Sequence, residues 1–278
     1  MNYLNIRDSI FDWEKRTYLM GILNVTPDSF SDGGEFNSIE SALEQAKNMI
    51  DCGADIIDIG GQSTRPGAEE ISLEEELKRV ITVIKKLRQN SSIPISIDTT
   101  SSKVAAAAIE VGADIVNDIS GGTFDKKMFC TVATLQVPII IMHIRGTPKT
   151  MQQKTDYNNL LNEIIDWLKV QINLAIKAGI YKHNIIIDPG IGFAKNYEQN
   201  IELLKNLSRF HSLGCPILLG VSRKSFIGHI LEEKDPKKRV WGTAAACCHA
   251  IASKTNILRV HDISEMKDII KVADVLWR

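Results

Sequence analysis

Residues 18–34 read Y-L-M-G-I-L-N-V-T-P-D-S-F-S-D-G-G. The first six are apolar with no polar alternation, the pattern of a strand buried on both faces. The eleven that follow have neither helical nor strand period, and they gather two acids, an amide, three hydroxyls, Phe30 and a glycine pair. Proline and paired glycine would suit any connection, but a loop tip seldom needs an aromatic together with this density of side-chain oxygen. An apolar strand ending in a loop equipped for contacts is the unit to look for elsewhere.

It recurs. Short β-branched apolar runs stand at residues 18–23, 55–59, 94–97, 115–116, 137–142, 184–187, 216–221 and 257–260. Between them lie segments of helical period or composition at 39–51, 73–88, 102–110, 156–178, 198–210, 242–253 and 264–277. Leu160, Leu161, Ile164, Ile165, Leu168, Ile172 and Ala175 form one apolar face, and Ser72 with Glu75 forms a candidate capping box. Strands alternating with helices imply parallel crossovers, and eight such units in about 250 residues is the size of a TIM barrel. We therefore expect a single (β/α)8 barrel over residues 18–278, with residues 1–17 as a short hairpin or cap beneath it. A doubly wound open sheet is the alternative. It would collect its chemistry at one switch point behind a Gly-rich fingerprint, whereas here nearly every strand ends in polar residues.

Composition narrows the function. A chain of 278 residues with 44% apolar and 24% charged residues is an ordinary globular protein, large enough to fold without disulfide or metal staples. Its formal charge of −1 gives no basic excess for nucleic acid or a membrane surface, so neither is expected as a partner. Five cysteines, an odd number without C-x-x-C, suit a reducing compartment. The start lacks the features of a signal peptide, and no apolar run reaches the ~20 residues that span a bilayer. These features suggest the cytoplasm.

The strand ends carry the chemistry: D-I-G-G-Q-S-T-R-P-G from Asp58, Asp98 with two threonines, N-D-I-S-G-G from Asn117, M-H-I-R-G-T-P from Met142, D-P-G-I-G-F from Asp188, S-R-K-S-F from Ser222 and R-V-H-D from Arg259. In a barrel these ends share one rim, where such enzymes keep their active sites. Asp98 and Asp188 at the tips of apolar strands are costly unless partnered. A planar ligand with adjacent N–H donors would satisfy them, and so would a buried ion pair. Arg65, Lys224, Arg259 and His261 place four potential cations on the same rim of a nearly neutral protein, which points to an anionic ligand, phosphate or diphosphate, unless each is simply solvated. Arg259 and His261, two apart on a strand, point the same way. His143, His183, His211, His229 and His249 read as structural. The glycines of 189–192 lack a complete phosphate-loop or dinucleotide fingerprint and suit a tight turn close to a ligand.

Together, N-V-T-P-D-S-F-S-D-G-G, G-G-Q-S-T-R-P-G, S-I-D-T, N-D-I-S-G-G, M-H-I-R-G-T-P, D-P-G-I-G-F, S-R-K-S-F-I-G and R-V-H-D resemble, in order and spacing, the motifs of the dihydropteroate synthase family of pterin-binding barrels. The departures are Gln62, where many members have Glu, and Ile144, where many have Met. The resemblance implies a Mg²⁺-dependent transferase of folate biosynthesis that joins 6-hydroxymethyl-7,8-dihydropterin diphosphate to para-aminobenzoate and releases pyrophosphate. It implies that Asp98, Asn117, Ile119, Met142, Asp188 and Lys224 bind the pterin, and that Asn24, Arg65, Arg259 and His261 bind the diphosphate, with Asn24 also on the metal. It places Phe30, Thr64, Pro66, Phe193 and Ser225 around para-aminobenzoate, and Asp98, Arg65, Asp32 and Lys224 in catalysis. Phe30 to Gly34 and Ser63 to Gly67 would close over the second substrate, sulfonamides would compete with it, and a homodimer would form, for which the small apolar helix around 243–251 is a candidate surface. Two alternatives share the ring contacts: the pterin domain of a methyltetrahydrofolate methyltransferase, which has no use for a diphosphate clamp, and a catalytically silent pterin-binding protein.

Overall fold

The computed structural model describes residues 3–26, 34–64, 67–69 and 71–278, and for residues 34–38 the backbone only. A hairpin, β1 (Tyr3–Ile6) and β2 (Ser9–Asp12), comes first. Eight parallel strands follow: β3 (Tyr18–Asn24), β4 (Ile56–Gly60), β5 (Ile95–Asp98), β6 (Ile115–Asp118), β7 (Ile139–Met142), β8 (Ile185–Asp188), β9 (Leu218–Leu219) and β10 (Ile257–Val260). Each of the first seven pairs with the next barrel strand along the chain except β8, and β10 sits between β3 and β9. The ring closes between β8 and β9 through a single bridge, Ile187 to Ile217. The expected (β/α)8 barrel is the fold found.

The strand period of two divides the core. One set of side chains, including Leu19, Leu23, Ile57, Ile59, Ile97, Ile141, Ile187 and Val260, packs outward against the helices. The alternate set points into the barrel. At its N-terminal end these are Tyr18, Met20, Ile56, Ile115, Ile140, Ile186, Leu218 and Ile257, and the hairpin closes that end by adding Leu4, Ile6 and Phe11 to the same cluster. Two residues further along, the inward positions become Asp58, Ser96, Asp98, Asn117, Met142, Asp188 and Arg259. The barrel is thus apolar at its sealed end and polar at its open one.

The helices are α1 (Gly34–Cys52), α2 (Leu73–Asn90), α3 (Ser102–Glu110), α4 (Met128–Leu135), α5 (Leu160–Lys177), α6 (Tyr197–Lys205), α7 (Ser225–Ile230), α8 (Val240–Ala252) and α9 (Ile263–Trp277). Ser72 accepts from the backbone N–H of Glu75 at 3.2 Å, but the Glu75 carboxylate turns instead to Arg79 one turn on, so half of the expected capping box forms. A complete one stands at Asn196 and Gln199. Helix α4 is absent from the periodicity because it has no side-chain cap and is short. The run at 216–221 yields a two-residue strand because Pro216 has no N–H to donate, and after Gly220 the chain turns over the rim. No helix among the described residues is long and apolar enough to cross a membrane.

Candidate active site

Strand register puts the predicted side chains on one rim. Asn24 is level with Gly60, Gly60 with Asp98, Asp98 with Asn117, and Met142 with Asp188. Because each lies at the C-terminal tip of an inward-facing row, their functional groups converge on the barrel mouth. Ile119, Met142 and Phe193 join Ile144, Met151 and Ala194 in a separate apolar cluster that forms a wall beside these polar tips. Lys224 caps that wall, its Nζ 4.4 Å from the centre of the Phe193 ring.

The carboxylates and cations are electrically linked. Arg259 reaches back into the barrel, its Nε 2.6 Å from Asp58 Oδ2 and its Nη2 2.6 Å from Asp98 Oδ2. The ion-pair alternative for Asp98 is therefore satisfied in this structure, and by one of the cations expected at the diphosphate. Burial pushes the Asp98 carboxyl up to about 7 against the pull of Arg259, with Asp58 adding to the rise. Burial also raises Asp188, opposed by a hydrogen bond from the Gly190 N–H at 2.7 Å and by Lys224. The same burial lowers Lys224 to about 8, although Asp188 and Asp98 favour its charge. His261 is held by Ser222, whose Oγ lies 2.9 Å from Nδ1.

The D-P-G-I-G-F loop is folded around a group absent from the expectation. Lys195, 2% exposed, donates to the carbonyls of Gly190 and Phe193, both at 2.9 Å, and its Nζ lies 3.1 Å from His143 Nδ1. Three acceptors surround its nitrogen, so this side chain ties the loop after β8 to the loop after β7, even though burial lowers the amine to about 7 against the pull of Asp188. Burial, reinforced by Lys195, depresses His143 well below its usual range, which leaves Nδ1 free to accept. Gly190 is required here: its φ is +75°, and a Cβ would stand 2.0 Å from the His143 carbonyl oxygen.

A cavity of roughly 990 Å³ opens beside Asp98 and Ile119 and is lined also by Gln62, Thr64, Glu76 and Lys149. Thr64 therefore shares a cavity with Asp98 and Ile119. Phe193 and Ser225 lie across the rim from it, Phe193 buried in the wall and Ser225 exposed at the start of α7. Phe30, Asp32, Arg65 and Pro66 lie outside the described residues. Sequence reasoning passed over Asp58, Lys195, the Arg223–Asp262 ion pair that joins the loops after β9 and β10, and Glu76, which accepts from Thr99 Oγ1 at 2.7 Å. Of these only Asp58 carried a signal, an acid inside an apolar strand.

The fold and rim are those of a barrel enzyme with buried acceptors and cations at the C-terminal mouth of its strands. The family model of pterin-binding enzymes matches residues 20–261. The dihydropteroate synthase of a Synechocystis strain is 58% identical over 275 residues, 99% of this chain and 95% of that one. The Clostridium difficile dihydropteroate synthase, solved in the presence of pteroic acid, superposes with a TM-score of 0.92 at 48% identity over 96% of this chain and 99% of that one. The Yersinia pestis dihydropteroate synthase, solved with a sulfonamide, gives 0.93 at 39% identity over 99% and 98%. The chain belongs to the pterin-binding enzyme family and, within it, to the dihydropteroate synthases.

Proposed function

We propose that this enzyme condenses 6-hydroxymethyl-7,8-dihydropterin diphosphate with para-aminobenzoate to give 7,8-dihydropteroate and pyrophosphate. The observation that carries this reading is the polarity of the barrel mouth: Asp98 and Asp188 are buried acceptors, Asn117 adds an amide, and Lys224 is the donor above them. A 2-amino-4-oxo heterocycle presents the complementary set, several N–H groups and one carbonyl. Met142 and Ile119 supply its apolar flank, and Arg259 supplies positive charge, with His261 beside it, on the side where β10 ends. With Arg65, outside the described residues, these groups would bind the diphosphate. Thr64, Phe193 and Ser225, with Phe30 and Pro66, would receive para-aminobenzoate, and a sulfonamide would compete there.

In the reaction the carbon–oxygen bond to diphosphate breaks, its electron pair leaves with the pyrophosphate, and the lone pair of the neutral arylamine takes the carbon before a proton is lost to solvent. The dihydropterin ring delocalises positive charge as the bond stretches, so a dissociative path needs an anion near the ring and cations at the leaving group. Asp98 is that anion, assisted by Asp32. Among the described residues no group of three acids, histidines or cysteines could hold a metal by itself. Asn24, half-buried at the rim, offers one neutral oxygen, the kind of sparse set that suits Mg²⁺ shared with substrate phosphates. When bound there the ion would offset charge on the departing diphosphate.

The test is release of pyrophosphate with both substrates and Mg²⁺ present; binding of the pterin diphosphate without product would overturn the proposal. Its pH dependence follows from the site. Asp98 must be ionised to accept from the ring, which requires a pH above about 7, and Lys224 is charged only below about 8. The kcat/KM for the pterin substrate should therefore trace a narrow bell between these values, and a flat profile from pH 6 to 9 would contradict it.

A homodimer is part of the proposal. Trp241, 70% exposed at the start of α8, and Val275, 86% exposed in α9, support a partner surface there, and light scattering should give twice the chain mass. Five unpaired cysteines support residence in the cytoplasm.

A further inference from the structure

Asp58 is fully buried inside the barrel, level with Ser96 of β5 and one inward step below the rim. Its Oδ2 accepts from Asn117 Nδ2 at 3.1 Å and from Arg259 Nε at 2.6 Å, while Oδ1 has no hydrogen-bond partner among the described residues. For folding alone this is a poor choice. An aliphatic residue, like Ile56 beneath it, would fill the same row without the cost of burying a charge. What the carboxylate accomplishes lies in its two neighbours, both of which face the ligand.

The first is Asn117. An ionised carboxylate can only accept, so it turns the NH₂ of the Asn117 amide toward itself. A carboxamide held by one N–H keeps its carbonyl oxygen and its second N–H for the opposite side. That leaves an acceptor–donor edge, which matches the edge formed by an amino group and a neighbouring ring nitrogen. The second is Arg259, which Asp58 shares with Asp98. A ligand whose N–H groups take the Asp98 oxygens competes with Arg259 for them, and Asp58 is the anion that keeps the guanidinium in place during that exchange.

We infer that Asp58 is a positioning residue for pterin recognition: it sets the amide edge that Asn117 presents and retains Arg259 at the barrel mouth while Asp98 changes partners. This rests on the function proposed above. The near-isosteric D58N substitution should weaken binding of the pterin diphosphate about tenfold or more and leave the KM for para-aminobenzoate within about twofold. In an N117A background the same substitution should cost clearly less, because one of the two residues it works through is already gone and only the Arg259 contribution remains. Equal factors in both backgrounds, or an equal loss for para-aminobenzoate, would overturn the inference.

A measurement on the unsubstituted protein guards against a variant that fails to fold. The Asn117 side-chain NH₂ should exchange slowly with solvent before any ligand is added, and exchange at the rate of a free amide would overturn the inference. Failure of the unsubstituted enzyme to bind the pterin diphosphate is a separate result and would count against the functional reading instead.

Discussion

Asp188→Asn should weaken pterin diphosphate binding by about two orders of magnitude, measured by calorimetry, with the melting temperature little changed. Asn can still accept from the Gly190 N–H, the bond that Asp188 Oδ1 makes at 2.7 Å, so the turn at the end of β8 survives. Its other terminal atom becomes an NH₂ where the ligand also offers N–H donors, and two donors then face each other. Each charge-assisted bond lost is worth roughly 1.5–3 kcal/mol, and a donor left unpaired in a buried site adds its desolvation. Lys224 also loses the anion that most favours its charge. The alkaline limb of the pH profile should therefore move to lower pH in the same variant. A change in affinity below about fivefold would remove Asp188 from the ring site.

Arg259→Met should cost stability as well as activity, by about 3–5 kcal/mol at pH 8. A solvated rim cation would cost far less on removal, but Arg259 is paired with two buried carboxylates at 2.6 Å each. Without it, Asp58 and Asp98 are left close together with no cation between them, and each must be neutralised to remain buried. The Asp98 carboxyl, already pushed up to about 7 against the pull of Arg259, then rises further above its value in the unfolded chain. A group whose folded pKa is raised favours the folded state at low pH and loses that contribution as pH rises. The penalty should accordingly be smaller at pH 6 than at pH 8 in urea unfolding. An equal penalty at both, or one below about 1 kcal/mol, would show that the ion pairs are not what the guanidinium supports. Turnover should fall at every pH, since the cation is also lost from the diphosphate side.

The fold and much of the site were legible because they rest on local signals. Ile57 and Ile59 face the helices and Ile56 and Asp58 the barrel because a strand alternates, and the run around them shows that both faces are buried. Asp98, Asn117, Asp188 and Lys224 could be placed on one rim because parallel strands bring every C-terminal end to the same side. Boundaries differ from the periodicity where local signals are weak. Helix α4 has no side-chain cap, helix α6 stops at Lys205 and continues after it as a 3-10 turn at Leu207–Leu213, and the strand at β9 shrinks to two residues beside Pro216.

By itself, then, the sequence determined the alternation of strands and helices, the polar ends of the strands and the family to which their motifs belong. Periodicity and residue order carry these, and neither depends on which distant side chains meet. Only the tertiary structure decided that Arg259 turns inward to Asp58, 201 residues away, that Asp58 orients Asn117, and that Lys195 ties two loops together through His143. Those pairings follow from closure of the barrel, which sets β10 beside β3 and brings the ends of the chain around one buried set of charges. How a buried charge is compensated depends on every neighbour within reach, and those neighbours are fixed by the ring of strands as a whole.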